Sequence, residues 1–435
     1  MKNAWYFFVR FWVKLAIKLF YRRIELNGTD QYPKSGPVFL APNHQNAFMD
    51  ALIPAVFIRE PIHFLARSDV FKNKRMAAFL GSINMMPVYR QRDGLSNLAK
   101  NEEIFKKCRN ILKSGGTLLI FPEATHLGER RVRPLSKGFT RVLFGTLEEA
   151  PETDINIVPL GINYSHYHKA GARLIVNFGK PISVLPYRAD YEANPHRTMT
   201  ALRDKVRTAL SQEVIHLERK DANNAFEAEA EFFIPFFLHR TGGFSVDDDE
   251  MDFGKRREAS LRALPEGHPH FRRMEVYRHE AERLKLRAPL FFIKRKDAGY
   301  WLAQSLLLLL MFPFFAGAWL MMAPSYLLIR NILTRYIADR QFWSSIKLVS
   351  YLVLFPLFGI LLTAAAILIS GRPLLSLTFV PSFYMLSVFI IRELRLPYRY
   401  LFTMWRSLLL KRRNPALLKY LTEIEREVLT AYRRL

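Results

Sequence analysis

Short apolar runs recur along the first half of the chain, each bounded by glycine, proline or polar residues. Runs of this length predict buried β-strands, and the segments between them carry the apolar periodicity of helices. This alternation predicts one α/β domain with a mixed, largely buried sheet flanked by helices. The predicted strands cover residues 23–26, 38–41, 62–66, 85–89, 117–121, 157–163 and 174–178. The predicted helices cover residues 72–80, 95–112, 138–149 and 198–217.

Residues 3–21 show a helical pattern of a different kind, with aromatic and aliphatic side chains on most sides. Arg10, Lys14, Lys18 and Arg22 recur at every fourth position and form one basic stripe. Such a helix suits the headgroup region of a membrane, where its cations meet anionic lipids. A transmembrane anchor is the alternative, although a charge at every fourth position makes spanning costly. The same cations, and the lack of a small-residue cleavage site, argue against a cleaved signal peptide.

The last third of the chain contains long uncharged runs at residues 298–329, 348–371 and 373–391. An α-helical crossing needs about 20 apolar residues, so the second and third runs each fit one transmembrane helix. The first run is too long for one straight crossing and contains Pro313 and Pro324. A hairpin there would leave every cluster of Lys and Arg on the cytoplasmic side, as the positive-inside rule favours. We therefore expect the first run to return to its own side of the membrane.

These changes of pattern divide the chain into five regions. An interfacial amphipathic helix (1–21) precedes the α/β domain (22–217), and a densely charged helical linker subdomain (218–296) follows it. The transmembrane region (297–392) then leads to an amphipathic cytoplasmic tail (393–435). Because the end of this tail has one apolar side, we expect that side to lie at the membrane interface.

The composition favours a membrane location over nucleic-acid binding. The chain has 64 Lys and Arg against 39 Asp and Glu, a net charge of +25, and its basic residues flank apolar segments. No zinc-finger or RNA-binding motif accompanies this charge, so we expect membrane lipids and not nucleic acid as partners. The single cysteine, Cys108, lies in a helical pattern and is interpreted as a small core residue. The acidic run at residues 247–250 lacks metal-ligand spacing and is interpreted as a solvated loop.

A histidine and an aspartate stand where one predicted strand gives way to a helix. They are His44 and Asp50, in the stretch Ala41-Pro-Asn-His-Gln-Asn-Ala-Phe-Met-Asp50. On the first turns of a helix, this spacing lets the carboxylate fold back onto the imidazole. A histidine oriented through one ring nitrogen has the other nitrogen free to act as a general base. The alternative is that Asp50 caps the helix and His44 is an ordinary loop residue.

Three later stretches favour the catalytic alternative. They are Gly81-Ser-Ile-Asn-Met-Met-Pro-Val-Tyr-Arg90, Leu118-Leu-Ile-Phe-Pro-Glu-Ala-Thr-His126 and Ile157-Val-Pro-Leu-Gly-Ile162. With the His44 stretch, and in this order and at these separations, they resemble the four motifs of the glycerolipid acyltransferase family. The resemblance covers roughly residues 20–215 and implies the fold of that family, with C-terminal transmembrane helices added here.

The chain departs from the family pattern in two places. Five residues separate His44 from Asp50 where the family usually has four. This spacing resembles a subgroup of glycerol-3-phosphate or dihydroxyacetone-phosphate acyltransferases. In the third motif, Ala124 and His126 stand where the family usually has Gly and Arg. These departures bear on the identity of the acceptor more than on the reaction.

Other residues of these motifs are candidates for substrate binding. A guanidinium at a strand end, such as that of Arg90, suits a phosphate, and by resemblance Arg90 is the acceptor-phosphate arginine; an exposed loop cation is the alternative. Glu123, whose direction Pro122 sets, would bind acceptor hydroxyls, hold cationic groups of the site or form a structural ion pair. Lys137 and Gly138 open a helix whose free amide groups suit a phosphate, unless Lys137 is an ordinary surface lysine. The remaining candidates, given by the resemblance, are Thr125, His126, Val158 and Pro159.

We therefore expect a membrane-bound acyltransferase of phospholipid biosynthesis. It would move a fatty acyl chain from acyl-CoA or acyl carrier protein to glycerol 3-phosphate, dihydroxyacetone phosphate or lysophosphatidate, with neither a metal nor a cofactor. The alcohol would attack the thioester directly, so no nucleophilic Ser or Cys is needed. Because the donor is soluble and the acceptor is anionic, we expect the catalytic domain on the cytoplasmic face of the cell inner membrane. The alternatives are acylation of another lysolipid, such as a lyso-ornithine lipid, and a non-catalytic membrane scaffold.

Overall fold

A computed structural model describes residues 2–89, 100–234, 250–294 and 298–434. The chain divides into two compact units. The first comprises Met1–His216 together with Asp339–Leu348, and the second comprises Leu217–Ala338 together with Val349–Leu435. The short segment Asp339–Leu348 thus belongs to the same unit as the predicted α/β domain, although it is far from that domain in sequence.

The first unit is built on one mixed sheet, as the sequence predicts. Eight strands are seen in the described residues: β1 (Arg23–Asn27), β2 (Val38–Pro42), β3 (Ile62–Arg67), β4 (Met85–Val88), β5 (Thr117–Leu119), β6 (Asn156–Tyr164), β7 (Arg173–Phe178) and β8 (Ile182–Ser183). Their order is β1-β7-β6-β2-β5-β3-β4, with β8 paired to β6. β6 is antiparallel to β7 and β8, and the other pairs are parallel. β8 was not predicted because two residues are too few to show a period.

Helices cover the sheet of the first unit and complete its core. They are α1 (Lys2–Phe20), α2 (Ala47–Phe57), α3 (Lys74–Ser82), α4 (Lys100–Lys113), α5 (Gly138–Glu149), α6 (Arg188–Ala193) and α7 (Pro195–Glu213). The core joins β2 to α5, where the rings of Phe39 and Phe139 stack with centres 5.6 Å apart. Cys108 of α4 is fully buried in the same core, and burial raises the pKa of its thiol to about 12. Cys108 is therefore a core residue, as predicted.

Strand β2 lies at the centre of the sheet, between β5 and β6. Its Leu40 and Ala41 pair in parallel register with Val158 and Pro159 of β6, and Phe39 pairs with Leu118 of β5. The carboxyl ends of parallel strands meet at one edge of a sheet, which is where α/β folds place ligands. The loops after β2 and β5 therefore share an edge.

The N-terminal helix α1 packs on the first unit through one side and exposes aromatic residues on another. Its buried residues are Tyr6, Ala16, Ile17 and Phe20, and its exposed ones include Trp5, Phe8, Phe11 and Trp12. In the basic stripe, Arg10 donates to the carbonyl of Arg59, and Lys14 lies over the ring of Phe57. Among the described residues, α1 is not one of the helices long and apolar enough to cross a membrane. Its position in the headgroup region stays a prediction.

The regular secondary structure in the described part of the second unit is helical. Its helices are α8 (Lys220–Phe232), α9 (Glu250–Ala263), α10 (Pro269–Arg283), α11 (Leu290–Lys294), α12 (Ala298–Tyr336), most of α13 (Trp343–Ser370), α14 (Pro373–Arg413) and α15 (Pro415–Tyr432). Helices α8 to α11 lie in the charged region predicted to be helical. Most of the acidic run at residues 247–250 lies outside the described residues, so its interpretation as a solvated loop stays a prediction.

Three helices, α12, α13 and α14, are long and apolar enough to cross a membrane. The first of them is one continuous helix of 39 residues, so the predicted hairpin is wrong. Pro313 and Pro324 lie inside this helix and do not end it. An open turn among apolar side chains would leave several backbone groups without partners, whereas a proline within a helix frees only one or two.

The C-terminal helix α15 has its apolar side inside the second unit. Leu421, Ile424, Val428 and Tyr432 are buried there. The fully buried carboxylate of Glu425 accepts hydrogen bonds from the Tyr277 hydroxyl and from the backbone N–H groups of Leu290 and Phe291, each at 2.7 Å. The expected position of this side at the membrane interface is therefore wrong, because an apolar stripe does not distinguish a protein neighbour from lipid.

Candidate active site

The loop after β2 brings the imidazole of His44 to the carboxylate of Asp50. Nδ1 of His44 lies 2.9 Å from Oδ2 of Asp50. The Asp50 side chain is fully buried, whereas 15% of the His44 side chain is exposed. Phe121, which follows β5, stacks on the imidazole with ring centres 3.9 Å apart. Within the described part of the chain, no hydrogen bond engages Nε2 of His44, so this nitrogen is available to a substrate.

Asp50 lies in the first turn of α2, and its carboxylate turns back over the start of that helix. Oδ2 accepts hydrogen bonds from the backbone N–H groups of Gln45 and Asn46, at 2.8 and 2.7 Å. Oδ1 accepts one from the Tyr164 hydroxyl at 2.5 Å. A carboxylate is favoured at this end of a helix, where amide groups lack partners and the helix dipole is positive. Asp50 thus both caps the helix and holds the imidazole, so the two sequence-based alternatives are compatible.

The loop after β5 holds the main chain of His44 from both sides. Glu123, which is 5% exposed, accepts the N–H of His44 at 3.0 Å and the N–H of Arg133 at 3.2 Å. The N–H of Leu127 donates to the carbonyl of His44 at 3.1 Å. Burial raises the pKa of Glu123 to about 8, although the two N–H donors and the charge of Arg133 act against the rise. Glu123 therefore positions the His44 loop.

Two alanines in these loops adopt left-handed backbone conformations. Ala47, at the start of α2, has φ +43°, and Ala124, next to Glu123, has φ +61°. This region costs a residue with a side chain about 1–2 kcal/mol, whereas glycine enters it freely. The conformation gives a physical reason for the glycine that the resembled family usually has at the position of Ala124.

His126 and Thr125 lie in the same loop. The ring centre of His126 is 5.3 Å from that of His44, and Oγ1 of Thr125 accepts a hydrogen bond from the Arg133 guanidinium. Burial lowers the pKa of His126, and the charge of a protonated His44 lowers it further. His126 is therefore a neutral imidazole at neutral pH.

The other predicted binding residues are not all in this cluster. Arg90 lies outside the described residues. Nζ of Lys137, just before α5, is 2.8 Å from Nε2 of His196, and Gly138 begins that helix. Val158 and Pro159 pair with β2 next to the His44 loop. Their roles in binding stay predictions.

Comparison with known proteins identifies the segment that contains this cluster. Residues 23–163 match the family model named Acyltransferase, and the segment includes His44, Asp50 and Glu123. We refer to this matching segment as the acyltransferase domain.

Relatives of the acyltransferase domain match parts of the chain. Glycerol-3-phosphate O-acyltransferase 1 of Saccharomyces cerevisiae is 32% identical over 20% of this chain and 12% of its own length. A 1-acyl-sn-glycerol-3-phosphate acyltransferase of Bacillus subtilis is 28% identical over 37% of this chain and 70% of its own. The crystal structure of the 1-acyl-sn-glycerophosphate acyltransferase PlsC from Thermotoga maritima has a TM-score of 0.36 at 16% identity, covering 48% of this chain and 80% of that one. The yeast match thus spans about an eighth of that relative.

The centre of the acyltransferase domain is the cluster of His44, Asp50, Glu123 and His126. Several residues that position this centre were not predicted. The Tyr164 hydroxyl reaches Asp50 from the end of β6. The Asn43 side chain accepts the N–H of Ile162 at 2.7 Å and donates to its carbonyl at 3.0 Å, which ties the His44 loop to β6. Asn43 could have been found because it adjoins His44, whereas Tyr164 carries no local signal. Arg67, at the end of β3, is close enough for its charge to lower the pKa of His126.

A segment from much later in the chain also packs against the acyltransferase domain. Phe342 of Asp339–Leu348 places its ring 5.2 Å, centre to centre, from that of His126. Ser344 donates a hydrogen bond of 2.5 Å to Oδ1 of Asn46. No sequence pattern indicated this contact, because the segment lies between two apolar runs.

Taken together, these contacts define what the centre can do. An imidazole with one nitrogen held by a buried carboxylate can accept a proton at the other nitrogen, and the carboxylate then stabilises the imidazolium. Within the described residues, no Ser or Cys hydrogen-bonds the imidazole, and its hydrogen-bonded ring nitrogen is the one that contacts Asp50. In the same residues, no group of three or more His, Cys, Asp or Glu side chains is arranged around a metal position.

Proposed function

We propose that the protein is a membrane-bound O-acyltransferase of phospholipid biosynthesis. It transfers a fatty acyl chain from the thioester of acyl-CoA or acyl carrier protein to a hydroxyl of a glycerol phosphate. The observation that carries the proposal is the 2.9 Å contact of His44 Nδ1 with the buried Asp50 carboxylate, inside an acyltransferase-family domain. The names of the yeast and Bacillus relatives support glycerol 3-phosphate and 1-acylglycerol 3-phosphate as acceptors.

The reaction uses His44 as general base. Nε2 accepts the proton of the acceptor hydroxyl as its oxygen forms a bond to the thioester carbonyl carbon. Asp50 keeps the proton on Nδ1 and stabilises the imidazolium that forms. The tetrahedral intermediate then expels the thiolate, and His44 returns the proton to the leaving sulfur. The ester and the free thiol are the products, and His44 regains its neutral form.

The acceptor phosphate needs cations near the base. Arg90 is the predicted partner, and in the described residues Arg67 and Arg133 lie beside the same loops, close enough to influence His126 and Glu123. A guanidinium binds a phosphate through two parallel hydrogen bonds. Glycerol 3-phosphate is the acceptor we favour, because the five-residue spacing of His44 and Asp50 resembles that subgroup; dihydroxyacetone phosphate and lysophosphatidate share the same chemistry.

The three apolar helices support a membrane location for this reaction. Helices α12, α13 and α14 are long enough to hold the protein in a bilayer. We place the acyltransferase domain on the cytoplasmic face of the inner membrane, where soluble thioesters and glycerol phosphates are found.

Acceptor profiling of the purified protein tests the proposal. A radiolabelled palmitoyl thioester is offered with glycerol 3-phosphate, dihydroxyacetone phosphate, lysophosphatidate and a lyso-ornithine lipid in parallel. We expect acylation of at least one phosphate-bearing acceptor and none of the lyso-ornithine lipid. Transfer only to the phosphate-free lipid, or to no acceptor with either thioester carrier, would contradict the proposed function.

A further inference from the structure

The segment Asp339–Leu348 is attached to the centre of the acyltransferase domain by directed bonds. Ser344, which is fully buried, donates to Asn46 at 2.5 Å, and Asn46 in turn donates its backbone N–H to Asp50. Nζ of Lys347 donates to the carbonyl of His168 at 2.6 Å. Two hydrogen bonds on one short segment hold it in a defined position against the His44 loop.

The segment also extends a row of aromatic rings that starts at the proposed base, His44. Phe121 stacks on one face of His44, and His126 meets the same imidazole at an angle of 67°. Phe342 extends the row, with its ring at 82° to that of His126. Edge-to-face pairs at these separations are favourable aromatic contacts. The segment thus adds a wall of one phenyl and one neutral imidazole beside the base.

The charges and the phenyl ring along this wall bear on which substrate it faces. Burial lowers the pKa of His126, the Asp339 carboxylate opposes this change and the Arg67 guanidinium adds to it, so charges of both signs lie near the wall at that point. The ammonium of Lys347 is engaged by the His168 carbonyl and lies over the Trp343 ring. These charges do not select an ionic substrate, whereas the phenyl ring of Phe342 favours contact with an uncharged hydrocarbon chain.

The geometry of acyl transfer also indicates that the acyl chain lies beside this wall. The thioester carbonyl must come within about 3–3.5 Å of the acceptor oxygen bound at His44. The acyl chain attached to that carbonyl therefore starts next to the base and extends along one of its walls. The segment that carries Phe342 runs directly into α13, one of the helices apolar enough to cross a membrane.

We propose that Phe342, held by the segment Asp339–Leu348, is a specificity-determining residue that contacts the acyl chain of the donor. This inference rests on the proposed acyl transfer at His44. It assigns the connection between two apolar helices to the substrate site of the acyltransferase domain. Ser344 is a positioning residue, because it affects the acyl chain only by holding Phe342 in place.

The test compares donors of different length in Phe342→Ala. Two ring-to-ring steps, of 5.3 and 5.2 Å, separate His44 from Phe342, so a butanoyl chain is too short to span both and a palmitoyl chain is long enough. We expect kcat/KM for the palmitoyl thioester to fall about five- to tenfold, as for loss of one or two buried methylene contacts. The value for the butanoyl thioester and the KM of the acceptor should stay within about twofold. Ser344→Ala should shift the ratio of the two donors in the same direction by less.

Tyr336→Ala is the matched control, because this aromatic residue shortly precedes the segment in sequence and is 75% exposed. It should leave the donor ratio unchanged, and Phe342→Leu should restore most of the palmitoyl activity. An equal loss with both donors would overturn the proposal, as would a change confined to the acceptor KM. If the wild-type protein transfers no acyl group at all, the proposed function fails first, and that outcome differs from an active enzyme with an unchanged donor ratio.

Discussion

Each unit of this protein buries a carboxylate, and the two carboxylates have different partners. Glu229, on α8 in the second unit, is fully buried and binds the Arg257 guanidinium through two hydrogen bonds of 2.7 Å. It also accepts a hydrogen bond from the Tyr432 hydroxyl at 2.9 Å, and His270 lies 2.8 Å away. Asp50 in the acyltransferase domain is equally buried, but within the described residues its partners are N–H groups, one hydroxyl and an imidazole.

The difference in partners is the reason why we assign a catalytic role to Asp50 and a structural role to Glu229. Burial alone would raise the pKa of Glu229, but the charge of Arg257 and the hydrogen bonds lower it to about 2. Because the Arg257 guanidinium is always present, the Glu229 carboxylate is already paired and does not stabilise a new positive charge. We therefore assign Glu229 a structural role. Asp50 has no guanidinium or ammonium partner in the described residues. In the proposed reaction, a proton arriving on His44 supplies the cation that Asp50 lacks, and only at the moment of reaction.

The largest expected effect separates these two roles. Asp50→Asn should lower turnover by about 10²–10⁴, because an amide can neither stabilise the imidazolium nor keep the proton on Nδ1. The unfolding temperature should change little, since the amide retains an acceptor oxygen and a similar shape. Asp190→Asn, at an exposed position on α6, makes the same chemical change as a control. Turnover near that of the wild type in Asp50→Asn would remove Asp50 from the mechanism.

Glu229→Gln should show the reverse pattern. Removing one partner of a buried ion pair leaves the other charge uncompensated and costs about 3–5 kcal/mol. We expect a large fall in the unfolding temperature of the purified protein, with acyl transfer per folded molecule unchanged. The control is Glu427→Gln, which makes the same change in an exposed pair with Arg273 and should have little effect. Equal stability of the two variants would show that the Glu229 cluster is not structural.

A smaller, pH-dependent effect is expected at Glu123. Its pKa is about 8 in the folded protein against about 4.3 when unfolded, so the folded state binds its proton more tightly. Stability should therefore fall as the pH rises from about 5 to 8. In Glu123→Gln this contribution is absent, so its unfolding temperature should fall less over the same range. Parallel curves for the two proteins would show that Glu123 ionises normally.

The smallest effect is expected at Ala124. Glycine at this position would relieve the left-handed conformation at φ +61° but add backbone entropy to the unfolded chain. We expect Ala124→Gly to stabilise the protein by about 0.5–1 kcal/mol, measured by thermal unfolding. Ala209→Gly, within α7, should instead destabilise by a similar amount because glycine weakens a helix interior. A loss of stability in Ala124→Gly would mean that packing of the Ala124 side chain stabilises the protein.

Local patterns predicted the elements of the first unit well. The helix at Gly138–Glu149 was predicted with its observed ends, and β2 and β7 were each within one residue of their observed bounds. The spacing of His44 and Asp50 also predicted their contact, because both residues lie on one strand-to-helix turn. Such features depend on neighbours in sequence, which a single sequence shows directly.

Features that depend on distant residues were either not predicted or predicted wrongly. The apolar side of α15 was assigned to lipid, although it faces the protein, since the pattern is the same in both cases. The prolines of α12 were interpreted as a turn, but they lie within one helix. Phe342 and Tyr164 reach the centre from far along the chain, and neither has a neighbouring motif that would reveal its role.

The central claim is that His44 removes the acceptor proton, and turnover of His44→Ala tests it most directly. With a radiolabelled acyl thioester and the acceptor that the wild type uses best, we expect a loss of about 10²–10⁴ in kcat. Added imidazole should restore part of the activity, because it can take the place of the missing base. His279→Ala, at an exposed position on α10, is the control and should remain fully active. Turnover by His44→Ala close to that of the wild type would contradict the account.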